Sequence, residues 1–378
     1  MLYIVKDKFI NYIKKDFVLI IAIMLAIASC FLVPISKKYI DYIDFRVLSL
    51  LFCLMIIVAG FRSVSFFDIL SHKLFQLTHT VRSSALVFIL LCYFTSMIIT
   101  NDVALILFVP FSIYSIKNVL SHRHLIFLIV LETIAANLGS MFTPIGNPQN
   151  LFIFTNFKMS AMTFFTTMFP YSAISLVILM SSSILFPKTV IEDKITKNSD
   201  GIFKDNLNKY ICFTALFILT ITTVARITPA LVSFMVCVIV ITFIDPKLFR
   251  LVDYSLIFTF TALFIFVGNM GQITIVQNAI GDVVTDNEVL VSIFSSQFIS
   301  NVPATLLLSN FTNNATSLLI GVNLGGLGTM IASMASLISY KIYANENDST
   351  IFSYFLWFSI FNIAFLALLL LAYVSLGK

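Results

Sequence analysis

Two matched segments carry the polar residues best placed for chemistry within an otherwise apolar chain. The segment at 94–111, FTSMIITNDVALILFVPF, aligns without a gap to the segment at 294–311, FSSQFISNVPATLLLSNF. In each, an apolar arm of about a dozen residues, too short to cross a hydrocarbon core of about 30 Å, runs into a polar centre and out along another short arm. Because lipid offers no hydrogen bonds, polar residues at that depth must be buried in protein or line a cavity. The centres Thr100-Asn101-Asp102 and Ser300-Asn301 therefore indicate binding sites at the tips of two re-entrant hairpins.

A second interpretation stays open for each segment. Either could be one tilted spanning helix that is kinked at its polar centre. The occurrence of the same design twice favours the hairpins.

Two further stretches predict broken membrane helices. Gly139, Pro144, Gly146 and Pro148 fall within ten residues of an apolar run, where proline removes a backbone donor and glycine weakens the helix. The later Gly325-Gly326-Leu327-Gly328 does the same with glycine alone. Half-helix N-termini favour anions and carbonyl ends favour cations, so breaks that face the hairpin tips predict an ion site.

Two acidic residues are expected inside the membrane, where each costs roughly 2.5–3.5 kcal/mol to insert. Asp102 is a candidate for binding or relaying a cation or proton, or for capping the hairpin helix. Glu132 is a candidate for the same relay, or for hydrogen bonding to the broken backbone. Arg46 and Arg226 lie close to span ends, and no base falls near a predicted midplane. Helix dipoles, amides and a co-bound cation would then have to neutralise an anionic substrate.

The composition predicts an all-α polytopic membrane protein. The 378 residues are 59% hydrophobic and 11% charged, against about 25% charged in globular domains. We expect about nine spans in addition to the two hairpins. Five cysteines without paired spacing argue against disulfides and metal sites. The sequence also lacks a basic helix interleaved with aromatic residues, the pattern that would indicate nucleic-acid binding. The predicted spans are 17–35, 45–62, 124–146, 161–186, 209–225, 229–245, 254–270, 315–340 and 350–376, with hairpins at 84–116 and 289–313.

The charge distribution predicts the orientation. Most Lys and Arg residues fall on one side when the N-terminus is cytoplasmic, as the positive-inside rule requires. An even number of crossings separates the matched spans that follow Asp44 and Asp253, so these spans begin on opposite faces. We therefore predict two inverted-topology repeats, each with a re-entrant hairpin and a broken helix, as in many secondary transporters. They comprise residues 1–186 and 209–378, joined by a cytoplasmic linker at 187–208.

The motifs resemble the ion transporter superfamily. The segments TNDVALILFVPF, ETIAANLGSMFTPIGNPQNLFIF, SNVPAT and GVNLGGLGT resemble its citrate-transporter-like and arsenite-permease branch, which is related to sodium/proton antiporters and divalent-anion symporters. The first tip is more similar to the Asn-Asp tip of arsenite permeases than to the Ser-Asn-Thr tips of dicarboxylate symporters. The resemblance implies that each tip and its broken helix form a cation site with substrate between them, and it suggests a homodimer.

The candidate cation and substrate ligands come from both tips and both breaks. The resemblance places Thr100 and Asn101 with the first break, and Ser300, Asn301 and Thr305 with the second. The full candidate set is Thr100, Asn101, Asp102, Asn137, Gly139, Thr143, Gly146, Asn147, Asn150, Ser300, Asn301, Thr305, Asn323, Gly325, Thr329 and Ser333, with Asp102 and Glu132 as the relay pair.

These features predict a secondary active transporter of a small inorganic or organic anion, coupled to a proton or sodium gradient by alternating access. A sodium/proton antiporter is the alternative, favoured by the two intramembrane acids. A channel and an intramembrane enzyme fit less well, since the half-helix caps and catalytic motifs they require are incomplete. We expect a multi-pass protein of the cell membrane with no catalytic residues, no cofactor, and no metal beyond a transported or coupling sodium ion.

Overall fold

The computed structural model describes residues 17–67, 69, 73, 76–116, 118–191, 206–273, 283–284, 287–344 and 350–376. Apart from an isolated bridge between Thr80 and Val190, the regular structure in these ranges is helical. The helices are α1 (Phe17–Leu32), α2 (Lys38–Tyr42), α3 (Phe45–Ser63), α4 (Val81–Ile99), α5 (Asn101–Ile116), α6 (His122–Ser140), α7 (Pro148–Asn156), α8 (Ala161–Ser182), α9 (Leu207–Val224), α10 (Ala230–Ile244), α11 (Tyr254–Met270), α12 (Glu288–Ile299), α13 (Asn301–Leu308), α14 (Ala315–Leu324), α15 (Met334–Ala344) and α16 (Ile351–Ser375).

Every predicted span coincides with a helix or with a broken pair of helices. Six helical segments are long and apolar enough to cross a membrane, namely α3, α4, α6, α8 with its 3-10 extension, α9 and α16. The stretch 209–245 is divided as predicted, because Arg226 adopts φ +65° and Pro229 caps the start of α10. The protein is an all-α polytopic membrane protein.

Both tip segments fold back on themselves. In the first, the rings of Phe88 on α4 and Phe111 on α5 are 5.7 Å apart. In the second, Thr312 donates a hydrogen bond of 3.3 Å to Glu288 at the start of α12. Since each contact joins residues on opposite sides of the tip, each segment is a hairpin. The alternative of a single kinked helix is wrong for both.

The arms of the first hairpin are longer than the sequence predicted. We expected an arm of about a dozen residues within a hairpin at 84–116. The helices α4 and α5 have 19 and 16 residues and together run from 81 to 116, so the hairpin begins three residues earlier than predicted and ends where predicted. The capping box of Thr80 and Ser83 starts α4 early, and the backbone N–H groups of Val81 and Arg82 bond to carbonyls of the segment after α8. The polar residues that we took for a loop therefore belong to the helix. In the second hairpin α12 and α13 have 12 and 8 residues.

Corresponding positions of the two predicted repeats have the same local structure. Asp44 and Asp253 cap α3 and α11 with ψ angles of 88° and 84°. Thr100 and Ser300 at the tips have φ/ψ values of 74°/152° and 71°/153°. The relative orientation of the repeats across a bilayer stays a prediction, and most of the predicted linker, residues 192–205, lies outside the described residues.

Two apolar cores hold these elements. The larger core joins the hairpins and broken helices to α8, α11 and α16. The smaller one lies among α3, α9 and α10. The two tips and the two breaks are thus embedded in the larger core.

Candidate functional site

A small cavity lies where the two hairpin tips meet the two helix breaks. The volume open to the centre of a water-sized sphere is about 10 Å³, which is room for about one water molecule. It contains one carboxylate, Asp102, and no basic side chain. The residues that line it are Asn101, Asp102, Pro148, Gln149, Leu256, Asn301, Val302, Ser333 and Met334.

The lining residues come from the N-terminal ends of helices. Asn101 and Asp102 begin α5, Asn301 and Val302 begin α13, Pro148 and Gln149 begin α7, and Ser333 and Met334 begin α15. Each helix N-terminus carries about half a positive charge and unpaired backbone N–H groups. Four such ends converge on one cavity, two from each predicted repeat, and Leu256 adds the first turn of α11, an end that the Asp253 carboxylate already caps. The site therefore presents helix-end dipoles without lysine or arginine in its lining, beside the carboxylate of Asp102.

Asn137, at the end of α6, links the first tip to the second break. Its side-chain oxygen accepts hydrogen bonds from the Asn101 amide at 3.0 Å and from the Ser333 hydroxyl at 2.9 Å. Its amide lies 3.5 Å from the Gly326 carbonyl. All three side chains are buried.

Asn323, which aligns with Asn137, links the second break to the first break. Its oxygen accepts a bond of 3.2 Å from the Asn147 amide, and its own amide donates to Asn150 at 2.7 Å. Asn147 is the sequence counterpart of Ser333. Each break asparagine thus bonds to the equivalent position in the other break, and the two breaks are held together by neutral side chains.

Asp102 is the least satisfied of the lining side chains. Its Oδ1 is buried and has no hydrogen-bond partner among the described residues. A buried oxygen left without a partner costs about 1–3 kcal/mol, and more if it is charged. The carboxylate therefore favours a cation or a proton at this position.

Amide side chains satisfy several carbonyls that the breaks expose. In the first break Asn150 donates to the carbonyls of Ser140, Met141 and Thr143 at 3.1–3.2 Å. In the second break Gln297 takes this role, donating to Gly325 and Leu327 at 3.0 Å while its oxygen accepts from the Thr329 N–H. These carbonyls are occupied by amides in this structure.

Sequence analysis missed Gln297 and Gln149. Gln297 aligns with Met97, so comparison of the repeats gave no signal for it. Gln149 is 2% exposed and lines the cavity, directly after Pro148. A glutamine in the first turn of a predicted half-helix was the signal available in the sequence.

Several predicted ligands lie outside the cavity lining and bond to nearby backbone. The hydroxyls of Thr143 and Thr329 donate to the carbonyls of Met97 and Gln297, respectively. Thr305 donates to the carbonyl of Asn301 within its own helix at 2.7 Å. Thr100 and Ser300 form the two tip bends.

The predicted glycines allow close packing. Gly139 and Gly325 pack against Ser96 and Ser296, which are equivalent residues of the two hairpins, and Gly146 lies against the carbonyl of Ser140. Glu132 does not line the cavity.

Arg226 holds the far end of α7, whose N-terminus faces the cavity. Its guanidinium donates to the carbonyls of Phe154 at 2.7 Å and Lys158 at 3.1 Å, and lies over the Phe154 ring. Desolvation lowers the pKa of Arg226, and the neighbouring Arg46 lowers it further. A cation at this end complements the helix dipole.

Comparisons with known proteins identify the family. The family model described as citrate transporter (CitMHS) matches residues 1–317. The chain belongs to the citrate transporter family. This match includes both hairpins and the first break, and it ends before the second break at 325–333.

Relatives of this citrate transporter family member include two proteins named as transporters and one named as an inner membrane protein. The uncharacterized transporter MJ0456 of Methanocaldococcus jannaschii is 32% identical over 305 residues, covering 79% of this chain and 81% of the relative. The inner membrane protein YbiR of Escherichia coli is 30% identical over 358 residues, covering 93% of this chain and 94% of YbiR. The silicon efflux transporter LSI3 of rice is 31% identical over 131 residues, covering 34% of this chain and 26% of LSI3. The protein is a multi-pass membrane transporter, and its family consists of transporters rather than enzymes.

Proposed function

We propose that this protein is a secondary active transporter of a small anion, coupled to a proton or sodium gradient. The observation that carries the proposal is the convergence of four helix N-termini on one cavity without a basic side chain. Each N-terminus stabilises an anion by roughly 0.3–1 kcal/mol at an exposed site and more when partly buried. The arrangement would attract an anion that arrives with its own cation.

Asp102 supports cation coupling. Its Oδ1 is buried without a hydrogen-bond partner among the described residues, the side chain lines the same cavity as Asn101 and Asn301, and the oxygen needs a positive charge or a proton. The cavity holds about one water-sized particle, whereas sites for drug-sized ligands have volumes of about 300–1,000 Å³. The present conformation would therefore suit a single small cation, and a carboxylate substrate would enter only after the tips and breaks separate. Such opening toward one face and then the other is alternating access.

Citrate is the first substrate to test, since the family is described by it. LSI3 is named for silicon efflux, so the panel should also include silicate. Succinate and arsenite are included because the motifs resemble those of divalent-anion symporters and arsenite permeases. The purified protein in proteoliposomes should exchange at least one of these in counterflow. Its accumulation should depend on an imposed sodium or proton gradient.

Asp102→Asn tests the coupling. We expect this variant to lose gradient-driven accumulation by tenfold or more while counterflow is kept, because the amide cannot hold the cation's charge. Asp44→Asn is the matched control, since asparagine is also a good helix N-cap. Equal gradient dependence in the wild type and Asp102→Asn would contradict this role.

A sodium/proton antiporter is the second candidate. It is favoured by the unpartnered Asp102 and by the lack of a basic side chain in the cavity lining. Sodium-dependent dequenching of an internal pH dye, without counterflow of any anion in the panel, would replace the anion proposal with this one.

A further inference from the structure

Glu132 lies apart from the cavity, in the middle of α6. The side chain is completely buried, and its Oε2 is 3.0 Å from the hydroxyl oxygen of Ser112 on α5. Its Oε1 is also buried and has no hydrogen-bond partner among the described residues. The hydroxyl of Ser112 is therefore its hydrogen-bonding contact.

The contacts of Ser112 bear on which group carries the proton. Ser112 also lies 3.0 Å from the carbonyl oxygen of Val109, one turn earlier in α5. A serine hydroxyl has one hydrogen to donate, so with an ionised Glu132 that hydrogen is shared between the carboxylate and the carbonyl. With a protonated Glu132, the carboxyl donates to Ser112 and the serine hydrogen is left for Val109. Full hydrogen bonding at both contacts therefore favours a protonated Glu132.

The described residues around Glu132 offer no charge that would stabilise a carboxylate. Titratable side chains that interact with Glu132 include Cys92 on α4 and Tyr354 on α16, both buried and neither basic. Helices α8, α14 and α16 contain no Asp, Glu, Lys, Arg or His, although α8 contributes Tyr171.

The charged groups on the remaining neighbours of Glu132 are engaged elsewhere. Arg82, in the first turn of α4, donates to carbonyls at residues 184 and 186. Lys341 on α15 is exposed, and Arg123 on α6 itself lies over the Trp357 ring. Asp102 is ten residues from Ser112 along α5, or about 15 Å. An ionised carboxylate buried without a cation is strongly unfavourable, which supports the same protonation state.

We propose that Glu132 is a proton-binding site distinct from the cavity. It holds a proton in this conformation by donating to Ser112, and it releases that proton to water when α5 separates from α6. Ser112 lies on the helix that begins with Asn101 and Asp102, so movement of the first tip would alter the contact. The protonation state is argued from burial, the Ser112 contacts and the lack of a neighbouring cation, whereas its link to transport rests on the proposed function.

Infrared spectroscopy of the purified protein in lipid nanodiscs tests the protonation state without a substrate. The carbonyl stretch of a protonated carboxylic acid should be present at neutral and mildly alkaline pH. It should disappear in Glu132→Gln and persist in Asp102→Asn. Identical carboxylic-acid bands in the wild type and Glu132→Gln would overturn the proposal.

Two serine variants keep the test valid if Glu132→Gln does not fold. Ser112→Ala removes the acceptor and should shift the band of Glu132 to higher frequency. Ser115→Ala is the matched control on the same helix and should leave the band in place. The Ser115 hydroxyl is buried and has no hydrogen-bond partner among the described residues. A band unaffected by Ser112→Ala would contradict the hydrogen-bond assignment and the proposal with it.

A transport measurement addresses the link to coupling. In proteoliposomes, the pH dependence of gradient-driven labelled-citrate accumulation should be lost in Glu132→Gln and kept in Ser115→Ala. Unchanged pH dependence would overturn the link. If the wild type moves no citrate or other anion, the proposed function fails, and the infrared result still decides the protonation state.

Discussion

At the scale of single residues, the site relies on neutral amides. Asn101, Asn137, Asn147 and Asn323 join the tips and breaks through hydrogen bonds of 3.0–3.2 Å. Amides donate and accept without the insertion cost of a charge, which is roughly 2.5–3.5 kcal/mol at the centre of a membrane helix. Such contacts can hold broken helices together and still separate during transport. Asp102 is then the one charge for which the cavity lining provides a position.

Gly139 should tolerate no side chain. A Cβ there would overlap the carbonyl oxygen of Tyr93 and lie 2.6 Å from the Ser96 hydroxyl. Overpacking usually costs about 1–3 kcal/mol, and a backbone atom cannot move away as a side chain can. We expect Gly139→Ala to lower the thermal unfolding temperature in detergent by several degrees and to abolish counterflow.

Gly271→Ala is the control for this substitution. Its Cβ would lie 3.1 Å from the Asn310 amide, a side chain that can adjust, and its backbone is helical. We expect near-normal stability and transport. Equal stability of the two variants would show that α4 and α6 are not packed as described.

At the scale of elements, both hairpins turn through a strained residue. Thr100 and Ser300 have φ above +70° and ψ near 150°, a region that is essentially restricted to glycine and costs about 1–3 kcal/mol. The same strained conformation at two equivalent tips is typical of a functional site. It directs the first turns of α5 and α13 toward the cavity.

The second break should depend on Gln297. Replacing Gln297 with methionine, its counterpart in the first hairpin, removes the donor to Gly325 and Leu327 and the acceptor for Thr329. The carbonyls of Gly325 and Leu327 belong to buried residues, and each buried acceptor left unpaired costs about 1–3 kcal/mol. Gln297→Met should therefore lower thermal stability clearly.

Gln272→Met is the matched control for the break, because Gln272 is an exposed residue just after α11. It should unfold at the wild-type temperature. If Gln297→Met is as stable as this control, water replaces the amide at no cost and the second break does not require Gln297.

At the scale of the whole molecule, the inverted arrangement makes a prediction about topology. Lys38 precedes α3 and Lys247 precedes α11, and both are exposed. With a cytoplasmic N-terminus, the first lies outside and the second inside. In a background without the native cysteines, Lys38→Cys should react with an impermeant maleimide in intact cells, and Lys247→Cys only after permeabilisation. Labelling of both from the same face would contradict the inverted repeats.

The expected homodimer is checked by mass measurement of the purified complex.

The sequence alone determined which segments enter the membrane, where two hairpins turn and where two helices break. Polar tips and glycine-proline clusters are conspicuous in apolar runs because each is costly in hydrocarbon. It also named Asp102 and most of the asparagines as candidates near these features. The start of α4 was not predicted, because its capping residues, Thr80 and Ser83, are polar and polar residues are also typical of loops.

Only the tertiary structure decided how these parts meet. The bonds from Asn137 to Ser333 and from Asn147 to Asn323 join residues of different halves of the chain. Their existence depends on distances and side-chain directions that no sequence periodicity specifies. The same holds for Gln297 at the second break and for the convergence of four helix N-termini on the cavity. An electrostatic site built from helix ends requires the ends to be brought together, and only packing of the whole chain does that.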